Sequence, residues 1–207
     1  MEVKVCGLIN SENVQSFLHL PFQYVGHIYH PPSLRHYTDT CPLEVNKTIR
    51  RVGVFVDQPF ELIRLKIRDW QLDVVQLHGD ESVELAQEIK SLGVDVWKVV
   101  HLKNESFNWN ILQAFSKVVD RFLLDYKSDL KGGAGKKFNW NVLKSYPFQN
   151  PVMMAGGIGP NDAQKVKSIF KQHPFLVGID LNSCFETKPG VKDPEVLASF
   201  LQKLYDQ

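Results

Sequence analysis

Eight short apolar runs, separated by segments of helical period, constrain this chain more than any other feature. The runs fall at 3–6, 24–29, 49–56, 72–77, 96–100, 121–126, 151–155 and 175–181. Several of them, including VVQL, FLLD, VMMA and FLVGI, are almost continuously apolar, which is the pattern of strands covered on both faces. Between the runs the period changes. Apolar residues return at helical spacing in Phe60, Ile63 and Ile67, in Leu85, Ala86 and Ile89, and in Ile111, Ala114, Phe115 and Val118. The same spacing recurs in Ala163, Val166, Ile169 and Phe170, and in Leu197, Phe200, Leu201 and Leu204. Asn10 or Ser11, Asp80 and Pro160 mark helix starts. The stretch 31–47, rich in Pro and Ser at its head, leaves room for only a short or irregular helix.

Eight strand–helix units fit a closed parallel (βα)8 TIM barrel, and 207 residues lies near the short limit of that architecture. The competing arrangement is an open doubly wound sheet. No GxGxxG follows the first run, where Cys6, Gly7 and Leu8 stand instead, so the barrel is favoured. No linker divides the chain, and a single domain over 1–207 is expected. Lys and Arg total 24 against 23 Asp and Glu, so no bulk field argues for a nucleic acid or an anionic membrane as partner. Three cysteines, at 6, 41 and 184, lack any CxxC spacing and suit a reducing compartment such as the cytoplasm. No apolar run approaches the roughly 20 residues that span a bilayer, so neither a signal peptide nor a transmembrane segment is expected.

A parallel barrel carries its chemistry at the C-terminal ends of its strands. Gly156 and Gly157 follow an apolar strand and precede a helix, so their N–H groups can approach an anion with no Cβ in the way. Ser183, in the loop after the last strand, lies where barrels often complete a phosphate site, although a GG pair alone is more often only a tight turn. Cys6 ends the first strand. Such a cysteine is more often a small core residue, and as a thiolate base or nucleophile it needs a nearby cation or a helix N-terminus to lower its pKa. Asp125 ends FLLD, where a carboxyl serves either a salt bridge or proton donation. Arg35 follows Pro31 and Pro32, which restrict its approach to a carboxylate, or else it is a solvated surface charge. Gln76 and His78 are candidate pocket-lining residues. His78 has no second ligand at suitable spacing, and His27, His30 and His36 lack a carboxylate partner, so neither metal nor cofactor is expected. The stretch KGGAGKK at 131–137 lacks the GxxxxGK[ST] pattern and reads as a mobile lid.

The motifs then combine. KVCGL at 4–8, SLR at 33–35, RVGVFV at 51–56, VVQLHGDE at 74–81, LLDYKS with GGAGKKFNW at 123–140, AGGI at 155–158 and GIDLNSCFETKPGVKD at 178–193 run in order from one end to the other. Together they resemble the phosphoribosylanthranilate isomerase family of tryptophan biosynthesis. The resemblance implies a cofactor-free Amadori rearrangement of a small phosphorylated aromatic aminosugar, by a monomer or a homodimer. It puts the family's catalytic cysteine on Cys6, its catalytic aspartate on Asp125, its anthranilate-carboxylate arginine on Arg35, and its phosphate loops on Gly156, Gly157 and Ser183. The chain departs from the family pattern at Ile9, Asn13, Leu34 and Tyr126, and at Cys184, which stands where the family has glycine. The alternatives are another phosphosugar barrel, such as a ribulose-phosphate epimerase or indole-glycerol-phosphate synthase, or a barrel that binds the phosphosugar without turnover.

Overall fold

The computed structural model describes residues 1–38, 42, 44–102, 106–126 and 140–206. Eight parallel strands close on themselves in sequence order: β1 (Glu2–Cys6), β2 (Tyr24–Ile28), β3 (Arg50–Phe55), β4 (Val74–Leu77), β5 (Asp95–Leu102), β6 (Arg121–Tyr126), β7 (Val152–Ala155) and β8 (Leu176–Leu181). Closure is made by β1 on β8, with Lys4 opposite Asp180 and Val5 opposite Leu181. Because side chains alternate across a strand, each apolar run divides into two sets. One set, with Cys6, Val52, Val54, Val74, Val99, Leu123 and Met153, fills the barrel interior. The other, including Val3, Val5, Val25, Val75, Leu77, Val96 and Leu124, meets the outer layer. This double burial is why the runs are continuous rather than alternating.

The outer layer holds five α-helices among the described residues: α1 (Ser11–Gln15), α2 (Phe60–Trp70), α3 (Val83–Lys90), α4 (Ala163–Gln172) and α5 (Pro194–Tyr205). Asn10 caps α1, accepting from the Asn13 N–H, and Asp193 caps α5 ahead of a first-turn proline. Two expected starts move. Ser82, not Asp80, caps α3, while the Asp80 N–H is taken by Asp57 at 2.7 Å. The helix expected near Pro160 begins at Ala163, because Asp162 turns back to accept from the Gly159 N–H.

The helical segment expected around Ile111 to Val118 is instead two 3₁₀ turns, Trp109–Leu112 and Phe115–Lys117. Ile111 faces solvent, and Trp109 and Leu112, three residues apart, are the ones buried. That spacing is the 3₁₀ period, and over a single turn an α-helix would show it as well. The described part of 31–47 holds no helix. A further 3₁₀ segment, Trp140–Ser145, precedes β7, and the glycine-rich stretch 131–137 lies outside the described residues. After β8 come a one-turn 3₁₀ segment, Ser183–Phe185, and an unexpected small antiparallel hairpin of β9 (Glu186–Lys188) and β10 (Val191–Lys192).

The N-terminal end of the barrel is plugged. Tyr24 meets Trp97 edge-on at 4.9 Å between ring centroids, and the Arg121 guanidinium lies 4.7 Å from the Trp97 ring centre. Glu2 neutralises that guanidinium at 2.5 Å. At the opposite end the described residues leave a cleft between the strand ends.

Candidate active site

At the C-terminal mouth a cleft of about 290 Å³ runs between the ends of β1, β4, β6, β7 and β8, with Cys6, Gln76, His78, Asp125, Asp180 and Ser183 among its lining residues. Its size is near the lower end of the roughly 300–1,000 Å³ typical of small-molecule sites.

Cys6 and Lys4 share the inward face of β1, two residues apart, and both are buried. The Lys4 ammonium sits beneath the sulfur and pairs with Asp180 at 2.9 Å across the β1–β8 seam. Space for this arrangement comes from Gly26 on β2, opposite Cys6, where a Cβ would stand 2.7 Å from the Cys6 sulfur and 3.0 Å from the Lys4 Cε. Burial works against the Lys4 charge, but Asp180 and the Cys6 sulfur reverse it and hold the ammonium above its ordinary pKa. Burial also pushes the Cys6 thiol up, and Lys4 opposes that rise. The cation that a catalytic thiolate needs is thus supplied from inside the barrel. Among the described residues, the second oxygen of Asp180, Oδ1, is buried without a hydrogen-bond partner, as is Oε1 of Gln76.

Asp125 ends β6 on the other side of the cleft, paired in register with His101 of β5. Its Oδ2 lies 3.6 Å from His78 Nε2 and 3.9 Å from His101 Nδ1. His78 follows β4, and its loop is clamped by a buried ion pair in which Lys98 meets Glu81 at 2.8 Å and the Gly79 carbonyl at 2.6 Å. Glu81 in turn accepts from the N–H of Gly79. His101 is a site residue that the sequence did not disclose. Its Nε2 donates to the His78 carbonyl at 2.9 Å, which leaves the Nδ1 lone pair facing Asp125. The trio His27, His30 and His36 gathers into no site: His27 is buried with its ring 4.2 Å from Tyr37.

Gly156 and Gly157 take φ of 85° and 68°, the left-handed region that other residues enter only with strain, and Gly157 faces open space. Among the described residues, the N–H groups of Gly157, Ser183 and Cys184 make no hydrogen bond. The described non-glycine residues at positive φ are Asp57 and Gln71, so Cys184 occupies its turn without the strain that a lost glycine would bring. Arg35 stands at the edge of the mouth, its Cδ 2.7 Å from where a Cβ on Gly7 would be. Its Nε and Nη2 are held by Glu186, the latter at 2.6 Å, and Nη1 lies outside that pair. Burial opposes the Glu186 charge, yet Arg35 and the buried Lys192 outweigh it and keep this carboxyl below its ordinary range. The hairpin after β8 therefore fixes the arginine.

A family model described as N-(5'-phosphoribosyl)anthranilate (PRA) isomerase matches residues 3–203. The N-(5'-phosphoribosyl)anthranilate isomerase of Phocaeicola vulgatus is 35% identical over 204 residues, covering 99% of this chain and 98% of that protein. Among solved structures, the phosphoribosyl anthranilate isomerase of Thermotoga maritima superposes with a TM-score of 0.82 at 29% identity, covering 99% of this chain and 98% of that one. The Thermotoga enzyme is described as dimeric. A further isomerase, solved with reduced 1-(o-carboxyphenylamino)-1-deoxyribulose 5-phosphate, superposes at 0.79 and 25% identity, with the same coverage.

Proposed function

The chain belongs to the N-(5'-phosphoribosyl)anthranilate isomerase family, and from that premise we propose that its barrel mouth rearranges N-(5'-phosphoribosyl)anthranilate to 1-(2-carboxyphenylamino)-1-deoxyribulose 5-phosphate. What supports this reading most is that one cleft holds the Cys6 sulfur, the Asp125 carboxyl and the glycine loop after β7. The substrate phosphate is held by the N–H groups of Gly156, Gly157 and the Ser183 turn, as an anion is held by unengaged backbone donors. The anthranilate carboxylate meets Arg35 through Nη1, with Glu186 setting the plane of the guanidinium. The unpartnered oxygens of Asp180 and Gln76 accept from the ribose hydroxyls.

Protonated Asp125 donates to the ribose ring oxygen. The C1–O bond breaks, and the electron pair on the anthranilate nitrogen forms a protonated Schiff base. The Cys6 thiolate then takes the proton from C2, giving an enolamine; C1 gains a proton as the C2 hydroxyl loses one, which yields the ketone, and net return of a proton from the Cys6 thiol to Asp125 restores both groups. The substrate nitrogen is itself the electron sink. Lys4 acts through Cys6 as a positioning residue: its ammonium favours the thiolate that burial disfavours. Every group used comes from one chain, so a monomer or a homodimer serves equally. Among the described residues no helix is long and apolar enough to cross a membrane. A thiol base needs a reducing milieu, and we assign the chain to the cytoplasm on that ground.

The test is a direct assay with enzymatically generated N-(5'-phosphoribosyl)anthranilate, following loss of its fluorescence. Turnover by the purified chain is expected. Tight binding of the reduced product analogue by a folded chain that never consumes substrate would select the non-catalytic alternative instead.

A further inference from the structure

We propose that His78, His101 and Asp125 form a binding site for a divalent transition-metal ion of the zinc class, and that the ion competes with turnover by occupying the Asp125 carboxylate. The competition rests on the assignment of Asp125 as proton donor; the binding does not.

The three ligand atoms, one from each side chain, lie within 4.8 Å of one another. Two imidazole nitrogens and one carboxylate oxygen are a donor set that zinc takes, with bonds of about 2.0–2.2 Å. Ligand atoms around such an ion stand about 3–4 Å apart, and the separations of 3.6 and 3.9 Å from Asp125 Oδ2 need little adjustment. The side chains are 29%, 20% and 21% exposed in the order His78, His101, Asp125, so an ion can enter from the mouth while the ligands stay held.

The surroundings fix the His101 ring as a ligand requires, and one amide rotation does the same for His78. A carbonyl can only accept, so the bond from His101 Nε2 to the His78 carbonyl puts the proton on Nε2 and the lone pair on Nδ1, facing Asp125. His78 Nδ1 contacts the Gln76 amide at 3.1 Å. A half-turn of that amide presents Oε1, now buried without a partner, to an Nδ1–H donor. The turn satisfies the orphaned oxygen and frees the lone pair of His78 Nε2 for the ion. Three protein ligands leave at least one position open to water or to a substrate oxygen. With the ion on Oδ2, Asp125 has no proton to give at that atom.

Calorimetric titration of the chelator-stripped chain with zinc chloride tests the binding, and the fluorescence assay run at the same zinc concentrations tests the competition. One equivalent is expected to bind, with affinity falling by more than the roughly 10- to 100-fold that lost outer-sphere partners produce in both His78→Ala and His101→Ala. His101→Gln serves as a second variant should truncation unfold the loop. Turnover should fall by about 10²-fold or more as the site fills, and recover with EDTA. Unchanged affinity in the histidine variants would overturn the site. So would a thiolate-to-cobalt charge-transfer band in the cobalt-loaded chain, which would assign the ion to a cysteine. One zinc bound with turnover intact would overturn the competition alone, and the kinetics of Asp125→Asn would then show whether the proton-donor assignment fails with it.

Discussion

At the floor of the barrel Arg121 lies over Trp97 and Tyr24 and is neutralised by Glu2. At the mouth, built from the other ends of the same strands, Asp180 and Gln76 each keep a buried oxygen without a partner among the described residues, where the Gly157 and Ser183 N–H groups also make no hydrogen bond. Each unmet buried polar group costs about 1–3 kcal/mol, so the mouth is the less stable end by construction. Unmet groups that line a cleft are ones a ligand can meet. The floor holds the barrel shut, and the mouth keeps polar groups that a bound molecule could meet.

The largest expected effects fall at the mouth and on rate. Asp125→Asn and Cys6→Ser should each lower turnover by about 10²–10⁴-fold, with unfolding midpoints close to that of the parent. Steady-state kinetics beside thermal melts decide it, and near-parental turnover in either variant would move that residue to the structural side of the comparison. Next comes the floor: Trp97→Ala should cost about 3–5 kcal/mol of stability, read by urea unfolding, while KM of the remaining folded enzyme stays put. A changed KM would mean that the two ends are coupled. Arg35→Ala should lose about 1.5–3 kcal/mol in kcat/KM, with lysine restoring only part of it. A substrate lacking the ring carboxylate gives the control, since the alanine variant should scarcely distinguish the two compounds. Fully additive losses would remove the contact.

The smallest effect is a displacement along the pH axis. A thiolate base with a raised pKa makes kcat/KM climb with pH until the thiol is ionised. Lys4→Met deletes the cation that opposes the rise, so the climb should shift about one unit higher, a tenfold loss at fixed lower pH. A profile scaled down without displacement would leave Lys4 a packing role only.

The barrel was legible because burial on both faces removes polar residues from a strand and leaves a signal that one face alone would not. The segment around Ile111 differs from its expected helix because three-residue and 3.6-residue periods coincide over so short a stretch, and Ile111 turns outward while Trp109 and Leu112 turn inward. Cys6, Asp125, Gly156 and Gly157 line one cleft, and the sequence could single them out because each lies at or just after the end of a recognisable strand. His101 also ends one, but its meaning depends on His78, 23 residues away. The Lys4–Asp180 and Arg35–Glu186 pairs span 176 and 151 residues. Barrel closure creates the first of these and the hairpin after β8 the second, and no local pattern announces either.

Gly26 turns that closeness into a different kind of constraint. It bears no functional group and stands opposite Cys6 without straining its own backbone, yet a single methyl there would collide with both the sulfur and the lysine stem beneath it. Drift at this position is therefore blocked by volume. A survey of tolerated substitutions should find it as intolerant as the residues that touch substrate, although it contributes only empty space.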